Sequence, residues 1–254
     1  MKKVYLCLAL FSASFAFGQG QISFYGGLNL AGASSKDFTQ FDISDWENYG
    51  LLTNGGAEGR VTVDLAANKP SPINLGINLG AEYSLNEKFS ALAELQYAVS
   101  GISLLGVYAG INYDVVKKEK FSLGLTPKIG YNVGGADLGT VSVLPGYVPP
   151  VVLPEGTFND GDALSIGFSG LAINLGIRPR YMFTEKIGLH SLIGFNLGLT
   201  SSDGLVATTS GGDVVIPMTS AAVVKSDASA TQAGINPTMS STGLSLQLGI
   251  VFKL

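Results

Sequence analysis

The chain holds one histidine, His190, so any hydrolase built on a serine nucleophile has to place that imidazole within hydrogen-bond reach of a hydroxyl. Ser191 beside it points to the opposite face of an extended segment, and the same-face neighbours are Gly188 and Leu192. A serine on an adjacent strand keeps the hydrolase reading open. A histidine that fills an interior is the plainer reading, and the chain is expected to be no enzyme. Metal chemistry has two candidate places. Asn159-Asp160-Gly161-Asp162 resembles part of a calcium loop but lacks its ligand spacing and terminal glutamate. Asp42, Asp45 and Glu47 around Trp46 suit either a divalent ion or a solvated loop. Gly26-Gly27 and Gly134-Gly135 are not phosphate loops, because no helix follows to supply an N-terminal dipole. No metal or cofactor is expected.

More telling are charges set at alternate positions in otherwise apolar segments: Glu82, Glu94, Asp114, Lys128, Arg178, Arg180 and Lys253. Each sits on the polar side of a period-two pattern sustained for ten or more residues, longer than strands of soluble sheets usually run. Eight segments show it, near residues 22–30, 73–83, 89–100, 105–115, 121–133, 171–183, 187–199 and 244–254. In the second, Ile73, Leu75, Ile77, Leu79, Ala81 and Tyr83 oppose Asn74, Gly76, Asn78, Gly80 and Glu82; in the last, Leu244, Leu246, Leu248, Ile250, Phe252 and Leu254 oppose Ser245, Gln247, Gly249 and Lys253. Leu92 is an apolar exception on a polar face, and Pro127 interrupts an apolar one. The apolar faces carry no charge at all. That is the lipid-out, lumen-in signature of a transmembrane antiparallel up-and-down β-barrel of eight strands, an all-β fold.

Composition agrees. Charged residues make up 13% of the chain and glycine contributes 34 residues, yet no apolar run of helix-spanning length follows the N-terminus. Residues 1–18 read as a cleaved secretory signal: Met1-Lys2-Lys3 is basic, an apolar stretch too short to span follows, and Ala16-Phe17-Gly18 offers small residues for cleavage. A lipoprotein signal at Cys7 is disfavoured, since Val4-Tyr5-Leu6 lacks the small residues lipidation needs. Residues 19–254 form the barrel domain. Losing Lys2 and Lys3 takes the 15 basic residues to 13 against 19 acidic ones, a net charge of −6, which argues against nucleic acid as a partner. Cys7 leaves with the leader, so stability rests on neither disulfides nor thiolate metal sites.

Connection lengths alternate. Residues 85–88, 116–120 and 184–186 are tight turns, while residues 31–72, 134–170 and 201–242 read as long loops, with one short exception near 101–104. Short periplasmic turns and long extracellular loops put both termini in the periplasm. Two β-like runs inside the long segments, 60–65 and 214–224, are too short to span and read as hairpin extensions above the membrane. Phe24, Tyr83, Phe89, Tyr113, Phe121, Tyr181, Phe183 and Phe252 all point outward near a tight turn or a terminus, forming a periplasmic-side aromatic girdle; Tyr97, Tyr131 and Phe195 are its sparser upper counterpart.

The leader ending in Gly18-Gln19, the opening Phe24-Tyr25-Gly26-Gly27-Leu28-Asn29-Leu30 and turn–strand units such as Asn86-Glu87-Lys88-Phe89 resemble PorT-like outer-membrane barrel proteins, relatives in shape of the OmpA and OmpX type. The resemblance implies the cell outer membrane of a Gram-negative envelope, contact with lipid and lipopolysaccharide, and passage through the barrel-assembly machinery; it also suggests accessory work in secretion. Such families usually end in an aromatic residue, whereas this chain ends Phe252-Lys253-Leu254.

An eight-stranded interior is just wide enough for side chains to fill. Glu94, Lys128, Arg178 and Arg180 are therefore expected to form a cross-lumen network that plugs the barrel, with Glu82 and Asp114 beside them. The resulting function is structural or interactive: a barrel anchoring loops that contact an unknown envelope or external partner. Phe38, Phe41, Trp46 and Tyr49, residues 147–154, and the apolar punctuation of 214–224 suit such a contact surface or a cap over the mouth. The alternative is a narrow porin-like channel or a transporter of small solutes or an apolar ligand, with Leu92, Leu192 and Val251 lining the route. A sheet crosses lipid only when closed on itself, so the mature chain should need detergent or lipid to stay folded and monomeric; a folded monomer in plain buffer, seen by sedimentation and circular dichroism, would contradict the barrel.

Overall fold

The computed structural model describes residues 20–36, 40–43, 61–64, 70–98, 100, 102–143, 151–153, 156–216 and 238–254. Eight long strands carry the architecture: β1 (Ile22–Gly32), β2 (Ile73–Ser84), β3 (Phe89–Ala98), β4 (Ser103–Lys117), β5 (Phe121–Val143), β6 (Ala163–Met182), β7 (Ile187–Thr209) and β8 (Gly243–Lys253). Each pairs antiparallel with its neighbour in sequence, and β8 returns to β1 over Ser23↔Lys253 through Ala31↔Ser245. The sheet closes as an eight-stranded up-and-down barrel, as the alternation predicts. Residues 1–19, with the expected signal, lie outside the described residues.

Side-chain polarity decides which way each face turns. Outward positions are exposed and apolar: Leu28, Leu79, Ile129, Leu175, Ile193, Leu248 and Ile250 are each more than half exposed. Inward positions are buried and polar, among them Asn29, Asn78, Glu82, Glu94, Gln96, Lys128, Asn132, Asn174, Arg178 and Gln247. A protein in water would reverse this arrangement, because exposed apolar wall costs roughly 25 cal/mol per Å². The wall therefore faces hydrocarbon, and the barrel spans a membrane. Along β6 the outward apolar run covers residues 171–183. At about 3.3 Å per residue and a tilt of about 45°, that run rises about 30 Å, the scale of a bilayer's apolar core.

The three tight turns sit at one end. In 85–88, the Asn86 Oδ1 accepts the amides of Lys88 and Phe89, both at 2.9 Å. In 183–186, the Thr184 Oγ1 accepts those of Lys186 and Ile187 at 3.2 and 3.0 Å. The repeated Asn/Thr-Glu-Lys step is thus a side-chain-capped turn. Six of the outward aromatics lie at this end in level pairs: Phe24 with Phe252, Tyr181 with Phe121, and Phe89 with Tyr113, whose ring centroids lie 4.9 Å apart. Tyr181 and Phe183 meet edge-on at 5.7 Å.

The opposite end corrects the expected loop boundaries. Residues 134–170 and 201–242 are not loops throughout, because β5 runs on to Val143, β6 starts at Ala163 and β7 continues to Thr209. These 20- to 23-residue strands outrun the bilayer. They are flanked by Val61–Asp64, which pairs with both β5 and Gln40–Ile43, and by Gly212–Ile216, which pairs with β7. The described parts of the two β-like runs, 61–64 and 214–216, extend the sheet rather than cross the membrane, and the rest of each lies outside the described residues. Around Gly134 and Gly170 the pattern inverts: Ala136, Leu138, Leu164, Ile166, Phe168 and Ala207 are buried, whereas Asp137, Gly139 and Thr208 are exposed. Beyond the lipid headgroups the outer side meets water, so the apolar side chains turn inward. The inversion breaks the polarity rule that identifies the lower strands, and the sequence pattern alone reads as loop.

Leu248 lies in the middle of the outward apolar run of β8, level with Leu28 and Ser191. Leu248→Arg should cost about 2–4 kcal/mol, the depth-dependent cost of a cation at the bilayer midplane, measured by denaturant unfolding in lipid vesicles. Thr208→Arg, on the exposed upper β7, should change stability by less than about 0.5 kcal/mol.

Candidate functional site in the barrel lumen

Two carboxylates organise the interior. Glu94, on β3, points to the centre and gathers four donors from four strands. Lys128 Nζ of β5 donates to its Oε1 at 2.9 Å, Gln96 Nε2 of β3 at 2.5 Å and Gln247 Nε2 of β8 at 2.8 Å, while Tyr25 OH of β1 donates to Oε2 at 3.0 Å. Second is Glu82 on β2, whose Oε2 accepts from Arg178 Nη1 at 2.9 Å and from Arg180 Nη2 across the barrel. Of the seven inward charges singled out in the sequence, five pair in two separate groups rather than one. Lys128 serves Glu94; both arginines serve Glu82. Asp114 joins neither group: Asn112 Nδ2 donates to it at 2.8 Å, and it belongs to none of the ion pairs among the described residues.

Tyr25 connects the clusters. Its hydroxyl reaches Glu94 and the Arg178 guanidinium lies 4.1 Å from its ring centroid, a cation–π contact. Room for that ring comes from Gly80, where a Cβ would fall 2.2 Å from Tyr25 Cζ. Gly130 does the same for Tyr108, whose hydroxyl donates to Asn132 Oδ1 at 2.8 Å; Asn132 Nδ2 in turn donates to Ser241 Oγ at 2.7 Å. Tyr25, Gln96, Gln247 and Tyr108 carry no charge, so a search for charged residues passes over them. Their shared parity with Glu94 was the available signal.

His190 is buried on β7 directly opposite Arg180, with its ring 5.0 Å from that of Tyr25 in an edge-on contact. Neither ring nitrogen has a hydrogen-bond partner among the described residues, so the geometry assembles no serine–histidine pair there. Leu92, Leu192 and Val251 do face inward and are buried; Val251 packs with Tyr25 and Met182. In 159–162 the carboxylates serve the backbone: Asp162 Oδ2 accepts Asn159 N at 2.6 Å and Asp160 Oδ1 accepts Val143 N at 3.0 Å. That is a capped turn, with Gly161 at φ 87°. Asp45, Trp46 and Glu47, with Phe38 and Tyr49, lie outside the described residues, and so do 147–150, 154 and 217–224; Asp42 and Phe41 are placed in backbone only.

No protein-family model matches the chain, and no curated protein does. Solved structures similar to it include Neisserial surface protein A (NspA), 11% identical over 92% of this chain and 97% of that one with a TM-score of 0.45. The outer membrane protein OprG from Pseudomonas aeruginosa is 12% identical over 92% and 96%, TM-score 0.45. A major outer membrane protein from Thermus thermophilus is 11% identical over 93% and 100%, TM-score 0.49.

Removing one partner of the Glu94 cluster leaves a buried charge behind, whereas removing both leaves only polar atoms. Lys128→Met should destabilise by about 3–5 kcal/mol, and Glu94→Gln added to it should restore most of that loss. Vesicle unfolding of the four members of the cycle measures both; additive losses would mean that the pair is not coupled.

Proposed function

We propose that the chain is a PorT-like outer-membrane protein with a structural or interaction role, its termini periplasmic and its closed barrel holding an extracellular sheet against a partner in the envelope or outside the cell. The observation that carries this reading is the contrast between the two levels of the molecule. In the membrane, the lumen is crossed by buried hydrogen-bonded side chains reaching Glu94 from β1, β3, β5 and β8. Above it, a six-stranded antiparallel sheet rises in the order 212–216, β7, β6, β5, 61–64, 40–43.

Rigid strands cost less conformational entropy on binding than long loops do. The inner side of this sheet packs Leu138, Leu164, Ile166 and Phe168. Its outer side holds a cleft of about 570 Å³ lined in part by Ser103, Asp137, Ser165, Thr208 and Asp213. Small hydroxyls and two carboxylates suit a polar surface such as a saccharide or a basic protein segment, and lipopolysaccharide is one such surface at hand. With its lumen crossed at the Glu94 level by hydrogen-bonded side chains, the barrel acts as an anchor rather than an enzyme, and the outward residues hold it in lipid.

Two measurements test this. Planar-bilayer recordings of the intact barrel should show no wide, stable open state, and liposomes carrying it should not swell in small sugars. Pull-downs from detergent-solubilised outer membranes should recover a specific partner, lost when residues 217–237 are deleted or when Asp137 and Thr208 are both replaced by Arg. Steady conductance with rapid swelling would favour the narrow channel instead.

A further inference from the structure

The turn-side part of the lumen holds three inward cations, Arg178, Arg180 and Lys253, against two carboxylates, Glu82 and Asp114. Glu82 spends a single oxygen, Oε2, on two guanidiniums. Lys253, level with Ser23 and through it with Glu82, adds a third inward cation at this height. The other carboxylate here, Asp114, accepts from the Asn112 amide and keeps its charge without an ion pair to any of the three, and Lys117 at the rim donates to the Glu87 carbonyl at 2.7 Å.

The same place concentrates unused hydrogen-bonding capacity. Arg178 Nη2, Arg180 Nε and both nitrogens of His190 are buried without a partner among the described residues. The Arg178 and His190 side chains are only 3% and 1% exposed. Arg180 and His190 face one another across β6 and β7, and Arg178 is the next inward position on β6. A buried guanidinium N–H left without an acceptor is costly, and two guanidiniums around one carboxylate call for a further anion. A tetrahedral oxyanion supplies several acceptors to such a fork, and an imidazole N–H adds a donor.

We propose that Arg178, Arg180 and His190 form an interior binding site for a phosphate-class oxyanion at the turn-side end of the barrel. The anion accepts from Arg178 Nη2, Arg180 Nε and one His190 nitrogen, and Lys253 contributes long-range attraction. Its source is either free phosphate or the phosphate of a lipid headgroup reaching in at the turn-side rim. The proposal is independent of what the extracellular sheet contacts.

The sole histidine and the three arginines make the site readable by nitrogen-15 side-chain resonances of the full mature barrel in maltoside micelles. Inorganic phosphate should shift the His190 ring and Arg180 Nε signals saturably, while potassium chloride of equal ionic strength should not. Adding phospholipid to the phosphate-free sample distinguishes the headgroup source, because the same signals then move without free phosphate. Arg180→Gln should weaken half-saturation about tenfold or more, the worth of one charge-assisted hydrogen bond. Lys253→Gln, at a half-buried position that tolerates the change, should weaken it a few-fold. If Arg180→Gln does not fold, as judged by heat-modifiable gel mobility, Lys253→Gln decides. Absence of any shift from either source, an equal shift in chloride, or unchanged affinity in Lys253→Gln would overturn the proposal and leave these donors to water alone.

Discussion

Every backbone amide in the membrane-facing wall needs a partner within the protein, because hydrocarbon offers none. Pairing of the last strand to the first, from Ser23↔Lys253 to Ala31↔Ser245, is what meets that demand. An open sheet would leave two unpaired edges in lipid; the closed ring leaves none. Closure at eight strands then sets the bore, and a bore of that size is narrow enough for side chains to reach across it. The charged interior is a result of the ring, since residues facing inward must pair with one another across a short distance.

Glycine placement follows from the same crowding. A ring that brings Tyr25, Tyr108 and His190 into a narrow space has to leave wall positions bare. Gly80 and Gly130 do so: a side-chain carbon would fall 2.2 Å from Tyr25 Cζ and 2.4 Å from Tyr108 Cδ1, while at Gly249 it would meet the Gly26 carbonyl at 2.2 Å before His190 Nε2 at 2.8 Å. Some of the glycine-rich composition is therefore the complement of bulky lumen residues on neighbouring strands, not a sign of flexible chain.

The eight spanning strands and the direction of each face were legible in the sequence because lipid and lumen differ so sharply in polarity. Ile73 to Glu82 on β2 alternate without a single exception. What was not legible has two physical causes. Upper β5, β6 and β7 keep the period of two but reverse its sense, with Leu164, Ile166 and Phe168 turned inward, so a reading tuned to greasy-side-out takes them for loop. The lumen partners depend on register and on reach across the bore, which alternation does not encode. Thus Glu94, Lys128, Arg178 and Arg180 were identifiable as inward charges, while the division into a Glu94 group and a Glu82 group, bridged by Tyr25, was not. Glutamines 96 and 247 read as wall polar residues until their amides are seen on Glu94.

Gln247 has one more implication. It lies on the last of the eight strands in chain order, and its side-chain amide donates to Glu94 while its side-chain oxygen accepts from Asn78 at 3.4 Å. Seven strands alone leave the central carboxylate one donor short and the second strand's asparagine without its mate. The innermost polar core is completed by the same event that seals the seam, so an incomplete ring carries its own internal penalty, and the finished barrel is set apart from its precursors by chemistry at its axis as well as by hydrogen bonding at its edges.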